Sequence, residues 1–128
     1  MPTATTVLPR IGVLNCLTER DEETNLFISH CLNFDLMETG GTADESWQNL
    51  KAAVKQYIEH CYTFYPEGFS QSASVDEWKH FAEVLKNCGV VSRVEEIEIA
   101  LKPPLLEKEY PVWMQGVSTD GANCAVIQ

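Results

Sequence analysis

The fold of this chain is decided by residues 26–64, which have the sequence LFISHCLNFDLMETGGTADESWQNLKAAVKQYIEHCYTF. The stretch begins as a short strand, turns through Gly40 and Gly41, and continues as a helix with an explicit start signal. Thr42 and Glu45 form a capping box, in which the hydroxyl accepts a hydrogen bond from a helix N–H and the carboxylate reaches back to the cap. The helix therefore begins at this box and must pack against the strands before it.

Apolar side chains recur at three- and four-residue spacing after the cap, so they form one stripe on a helix of about five turns. The stripe comprises Trp47, Leu50, Val54, Tyr57 or Ile58, and Cys61. A large apolar side chain contributes about 1.5–3 kcal/mol when buried, which makes this stripe a major share of the core. Aromatic residues at this spacing, here and in the second helix, are interpreted as core and not as a ligand-binding box.

Three extended segments are predicted before this helix, at residues 9–18, 26–31 and 34–39. Both faces of the first segment are apolar, which favours a strand inside a sheet over one at its edge. A polar turn at residues 20–25 joins the first two segments, so they are predicted to form an antiparallel hairpin.

A second helix follows a loop rich in turn-forming residues. Ser74 and Glu77 form its capping box, and Gly89 is predicted to end it in a left-handed conformation. Its apolar stripe comprises Val75, Trp78, Phe81 or Ala82, and Leu85. The helix is therefore predicted to be amphipathic like the first.

Residues 94–101 alternate between apolar and acidic side chains, apart from one adjacent pair of acids, and predict the clearest strand of the chain. Pro103 and Pro104 end that strand, because neither residue can donate a hydrogen bond to a neighbour. Residues 110–114 are interpreted either as a docking segment or as a further short strand.

These elements predict an α+β fold in the order β-β-β-α-α-β. The predicted architecture is an antiparallel sheet of three to four strands with two helices packed on one face. A length of 128 residues suits a single domain, 1–128, with its own core. Within it we expect a loose N-terminal arm at 1–8, an α+β core at 9–102 and a C-terminal extension at 103–128.

The organising stretch resembles the HicB-like antitoxin family. The resemblance covers about residues 11–65 and is carried by His30-Cys31-Leu32, Phe34-Asp35-Leu36, Gly40-Gly41-Thr42, Asp44-Glu45 and Asn49-Leu50. It implies a partial ribonuclease-H-like fold of three strands, a helix and a fourth strand, so the second helix is a departure from the family. It also implies self-association and a partner, a small basic RNA-cleaving toxin that the domain neutralises by covering it. The segment after residue 98 lacks the helical period of the DNA-binding region that such antitoxins usually append.

The charge of the chain excludes some functions and favours others. It has 19 acidic and 9 basic residues, for a net charge of −10, and residues 19–45 contain eight of the acids against one Arg. Direct nucleic-acid binding is disfavoured, because phosphate contacts need clustered Lys and Arg. A basic protein partner is compatible with the acidic segment, whose alternative role is a solvated face that aids solubility.

Compartment and redox state follow from two further patterns. No apolar run approaches the roughly 20 residues that span a bilayer, and residues 1–10 show no signal-peptide core, so a cytoplasmic protein without membrane contact is expected. The five cysteines show no C-x-x-C spacing. Reduced thiols are therefore expected, not a disulfide framework.

Three groups of residues have chemistry suited to a metal site or to catalysis, but no pattern assigns such a role to any of them. The pairs His30-Cys31 and His60-Cys61 contain zinc-ligand types, but in no standard spacing. The same residues supply thiols and bases for nucleophilic catalysis without a supporting local signature. The carboxylates that lie close together in sequence and have magnesium-ligand chemistry are Asp35, Asp44 and Glu45.

We therefore expect no catalytic, cofactor-binding or metal-binding residues, no cofactor and no enzyme activity. The predicted function is a non-catalytic protein-interaction domain that also forms a homo-oligomer. It either neutralises a small basic toxin or is an orphan relative that has lost or changed its partner. The alternative is a small-ligand-binding protein or small enzyme whose pocket lies between helices and sheet and gathers Tyr57, His60 and a carboxylate.

Overall fold

The computed structural model describes residues 12–65, 67–68, 71–88, 93–99 and 112–118. The arm at 1–8, the Gly89 cap and the two prolines after residue 102 lie outside these ranges. The elements in chain order are β1 (Val13–Arg20), β2 (Phe27–Cys31), β3 (Leu36–Gly40), α1 (Ala43–Phe64), α2 (Val75–Cys88), β4 (Arg93–Ile97) and β5 (Val112–Ser118). The α+β class is confirmed.

The five strands form one mixed sheet in the order β3-β2-β1-β5-β4. The pairs β1–β2, β2–β3 and β4–β5 are antiparallel, whereas β5 runs parallel to β1. The prediction of an antiparallel sheet of three to four strands is therefore correct only for the first three. A fifth strand, β5, lies between β4 and β1 in the sheet. It falls within residues 103–128, which the sequence predicts to be an extension outside the core.

The helix α1 begins as its capping box predicts. Thr42 Oγ1 accepts from the Glu45 N–H at 3.0 Å, and Glu45 Oε1 accepts from the Gly41 N–H at 2.8 Å. Its predicted stripe is buried against the sheet, with Trp47 and Leu50 almost inaccessible to solvent. The strand residues in the same core cluster are Leu14, Cys16, Cys31, Ile97, Val112 and Met114.

The helix α2 packs against the opposite face of the sheet, so the prediction that both helices share one face is wrong. Side chains alternate along β1, and Leu17 points away from the face that carries Leu14 and Cys16. The second core cluster joins Leu17, Leu32 and Val117 to Ala73, Phe81 and Val84. The physical reason is the sequence of β1 itself, because a strand that is apolar on both faces needs a cover on each.

The capping box of α2 is also confirmed, since the Glu77 N–H donates to Ser74 Oγ at 3.2 Å and the Ser74 N–H donates to Glu77 Oε1 at 3.0 Å. Neither α1 nor α2 is long and apolar enough to cross a membrane.

Candidate functional site

A cleft of about 440 Å³ lies where α2 meets the sheet. It is bounded by residues from β1, β2, β3, the turn after β1, and the first turns of α2. The lining residues are Leu17, Glu19, Arg20, Asp21, Ile28, His30, Leu32, Met37, Asp76, Glu77 and His80. The cleft is therefore built from segments that are far apart in the sequence.

His30 is the only lining residue with an ionisable side chain that is classed as buried, among the described residues. It pairs with Leu17 across β1 and β2, which places its ring on the α2 side of the sheet. Its Nε2 lies 2.8 Å from Asp35 Oδ1, and its Nδ1 lies 3.6 Å from Glu77 Oε2. The ring is thus held between two carboxylates that come from two different elements.

Asp35 is placed by the tight turn between β2 and β3. Its φ of 56° lies in the left-handed region, which Asp tolerates better than most residues other than Gly and Asn. This conformation lets the chain reverse within a few residues and brings the carboxylate back beside His30. The contact depends on the turn, because Asp35 lies only five positions after His30 in the sequence.

Glu77 serves the cap of α2 and the cleft at the same time. One carboxylate oxygen accepts from the Ser74 N–H, whereas the other faces His30. The hydrogen bonds with the Ser74 backbone and hydroxyl lower the pKa of the Glu77 carboxyl, and the positive charge that His30 carries when it is protonated adds to this. Glu77 is therefore oriented toward the cleft by the same interaction that starts the helix.

A second histidine–carboxylate pair lies one helical turn further along α2. His80 Nε2 is 2.7 Å from Glu19 Oε2 on β1, and both side chains are partly exposed. Because His80 follows Glu77 by three positions, both side chains project from the same face of α2.

The cleft combines an acidic rim with an apolar wall. Four carboxylates line it against one guanidinium, that of Arg20, whose Nε donates to Asn25 Oδ1 at 2.8 Å. The carboxylates belong to Glu19, Asp21, Asp76 and Glu77, and the apolar wall to Leu17, Ile28, Leu32 and Met37. The Thr24 hydroxyl donates to Asp21 and lowers the pKa of that carboxyl, so it stays ionised at neutral pH.

The zinc constellation weighed from the sequence is not assembled. His30 faces α2, whereas Cys31, as its neighbour on a strand, is buried on the α1 side. His60 is exposed on α1, where its ring lies 5.4 Å from that of Phe64. The pocket expected to gather Tyr57 and His60 is not formed by the cleft, which lies on the other face of the sheet.

The magnesium constellation is also dispersed. Asp44 forms an ion pair with Arg93 at 2.6 Å, and Glu45 is occupied by the capping box. Only Asp35 of the three carboxylates comes near the cleft. Asp35 lies close to His30 and Glu77. Among the described residues, these three form the one group of at least three side chains whose ligand atoms lie close enough together to hold a metal ion.

The cysteines whose burial the structure describes are packed in the protein interior. Cys16, Cys31 and Cys61 are free and buried. A hydrogen bond to Cys31, together with burial, raises the pKa of the Cys16 thiol, and burial raises the pKa of Cys61. Nucleophilic catalysis requires an accessible thiolate and a base. A hydrogen bond with Cys16 lowers the pKa of the Cys31 thiol, but Cys31 is fully buried in the α1-side core, away from the His30 ring.

Comparisons of the chain with protein-family models, with curated proteins and with solved structures gave no significant match. What the cleft binds must therefore follow from its geometry and charge.

Proposed function

We propose that this chain is a non-catalytic protein-interaction domain that binds a basic protein partner through the cleft beside α2. The observation that carries the proposal is the acidic rim over an apolar wall. A Lys or Arg side chain has the complementary construction, with an aliphatic stem and a cationic head.

The charge distribution supports this assignment beyond the cleft itself. Glu19 and Asp21, which line the cleft, belong to the acidic segment 19–45 that contributes most of the net charge of −10. A field of one sign around the binding surface steers an oppositely charged partner and raises the association rate. The same field disfavours nucleic acid as the partner.

The resemblance to HicB-like antitoxins suggests the partner class, a small basic RNA-cleaving toxin. The order of three antiparallel strands followed by α1 is compatible with that resemblance, although α2 and the placement of β4 are additions. Self-association belongs to the same proposal. The described sheet has β3 and β4 as its edges, and Val94 on β4 is 58% exposed, which suits pairing with a second copy.

A cytoplasmic location is also proposed, because three buried cysteines are free thiols and a reducing compartment keeps thiols in this form.

The proposal is tested with a short arginine-containing peptide, titrated into the isolated chain by calorimetry at low and high salt. The double variant Glu19→Gln/Asp76→Asn removes two charges from the cleft lining. The matched control Glu38→Gln/Glu83→Gln removes two charges elsewhere, with Glu38 on the α1 face of β3. We expect the cleft variant to weaken binding tenfold or more and the control to weaken it less than threefold. Equal weakening by both variants would mean that only net charge matters.

A second candidate, a small cationic ligand, is favoured by one observation. The cleft volume of about 440 Å³ falls within the range of roughly 300–1,000 Å³ of small-molecule pockets. A linear polyamine, followed by the NMR signals of the cleft residues, distinguishes the two. Saturable micromolar binding of the polyamine, with no gain for a peptide, would favour the small ligand.

A further inference from the structure

The His30 ring presents a problem of proton count. A neutral imidazole has one N–H donor and one lone pair, yet both of its nitrogens face a carboxylate here. The Nε2 contact with Asp35, at 2.8 Å, has the length of a hydrogen bond with the proton on Nε2. In the neutral ring Nδ1 carries a lone pair and faces the Glu77 carboxylate, and the two repel unless a proton on Nδ1 or a metal ion lies between them.

The distance between His30 Nδ1 and Glu77 Oε2 favours a metal ion over a shared proton. At 3.6 Å the pair is too far apart for a good hydrogen bond. Two ligands on one tetrahedral zinc ion, with bonds of about 2.0–2.2 Å, are separated by about 3.3–3.6 Å. The observed spacing therefore matches a metal ion held between the two atoms.

Asp35 completes the arrangement from the other side of the ring. Metal-ligating histidines donate their remaining N–H to a carboxylate or carbonyl, which fixes the tautomer and makes the ring a better ligand. Asp35 occupies that place, and its turn conformation holds it there. The burial of His30 adds to the fixed orientation, whereas the open cleft beside it leaves room for water on the remaining metal positions.

We propose that this cleft contains a site for a divalent transition-metal ion of the zinc class, with His30 Nδ1 and Glu77 Oε2 as ligands and Asp35 as the positioning residue. Two protein ligands make a weak site, so micromolar affinity is expected in the isolated chain, and the remaining positions stay open to water or to a group from a bound molecule. The site does not depend on the proposed basic partner.

The test is a calorimetric titration of the full chain with Zn²⁺ alone, followed by Co²⁺ for its visible spectrum. His30→Ala removes a ligand, and we expect at least a hundredfold loss of affinity and no tetrahedral cobalt band. Glu77→Gln retains the capping box, because Gln serves the same helix cap, and we expect at least a tenfold loss. His80→Ala, the matched control in the same cleft, is expected to change the affinity less than twofold.

Asp35 needs a readout that a purely structural role would not change. Asn tolerates the left-handed conformation, so Asp35→Asn is expected to fold and to bind Zn²⁺ about 10–100-fold more weakly. Long-range ¹⁵N NMR of the His30 ring is expected to show a proton on Nε2 and a metal-shifted Nδ1 in the loaded wild type.

All these variants retain the five cysteines. Metal bound by thiols would therefore survive in His30→Ala, and undiminished Zn²⁺ affinity in that variant would overturn the proposal. Absence of Zn²⁺ binding up to millimolar concentration in the folded wild type would overturn it as well.

Discussion

Gly116 of β5 lies directly against the indole ring of Trp47 on α1. A Cβ atom at Gly116 would come within 2.5 Å of Trp47 Cζ3 and within 2.9 Å of Cη2. The ring is itself held by a hydrogen bond from its Nε1 to Glu95 on β4. Trp47 thus links α1 to the last two strands, and β5 must present a residue without a side chain at this point.

We therefore expect Gly116→Ala to destabilise the fold by about 1–3 kcal/mol, because overpacking displaces the indole from its site. Urea denaturation followed by tryptophan fluorescence measures the loss. The matched control is Gly12→Ala, since a Cβ at Gly12 meets nothing within 4 Å. Equal stability of the two variants would show that β5 does not pack against α1 in this register.

A buried chain of hydroxyls connects the sheet to α1. Ser29 Oγ lies 2.7 Å from Thr18 Oγ1 and 2.8 Å from Ser46 Oγ, and all three residues are buried. Ser29→Ala leaves the Thr18 hydroxyl without this partner, and we expect a loss of about 1–3 kcal/mol in the free energy of unfolding.

The double variant Thr18→Val/Ser29→Ala removes both members of that pair. We expect it to cost about 1 kcal/mol less than the sum of the single variants, since no polar group of the pair remains unsatisfied. Thermal and urea unfolding of the four proteins complete the cycle. Strict additivity would contradict the hydrogen-bonded pair.

We expect the Glu77 carboxylate to contribute to the free energy of unfolding in a way that is lost at acidic pH. Its pKa is lowered from the ordinary 4.5 by hydrogen bonds with Ser74, and His30 is the other titratable group that faces it. A lowered folded-state pKa means that the unfolded chain binds the proton more readily, so the contribution is present above pH 4.5 and is lost as pH falls through the folded pKa. The variant Glu77→Gln is expected to lose less stability between pH 6 and pH 3 than the wild type in urea unfolding. An unchanged slope would contradict the role of this carboxyl.

The buried thiols predict protection from alkylation. Cys16 and Cys31 are fully buried partners across β1 and β2, and Cys61 is buried on the inner face of α1. Iodoacetamide with peptide mapping is expected to leave these three unmodified in the native protein and to modify them rapidly in urea. Rapid native labelling of Cys16 or Cys31 would contradict the packing of α1 on the sheet.

The local signals in the sequence predicted the helices well, because both capping boxes are read from four consecutive residues. The strand β5 was harder to predict, since residues 110–114 form a short pattern beside Pro111 and the following Gly116 carries no side chain. Its partner, β1, lies about a hundred residues away. The two-sided apolar pattern of β1 did contain the signal for a helix on each face.

The cleft could not be predicted from the sequence, because its residues come together only through contacts between distant elements. His30 and Glu77 meet only because β2 and α2 pack together, and no spacing rule connects them. Asp35 approaches His30 because its backbone is left-handed. The sequence is compatible with this conformation but contains no signal that predicts it. The contact of His80 with Glu19 likewise requires α2 to lie on this face of the sheet.

Binding of a basic protein in the cleft can be tested with the native partner. Each tagged protein is used to capture partners from the native lysate, at low and at high salt. The proteins are the wild type, the cleft variant Glu19→Gln/Asp76→Asn and the control Glu38→Gln/Glu83→Gln. We predict a stoichiometric basic partner on the wild type and on the control at low salt, lost at high salt because surface charge is screened, and absent from the cleft variant. Recovery of the same partner on the cleft variant, or of the tagged chain alone in every case, would contradict binding of a basic protein in the cleft.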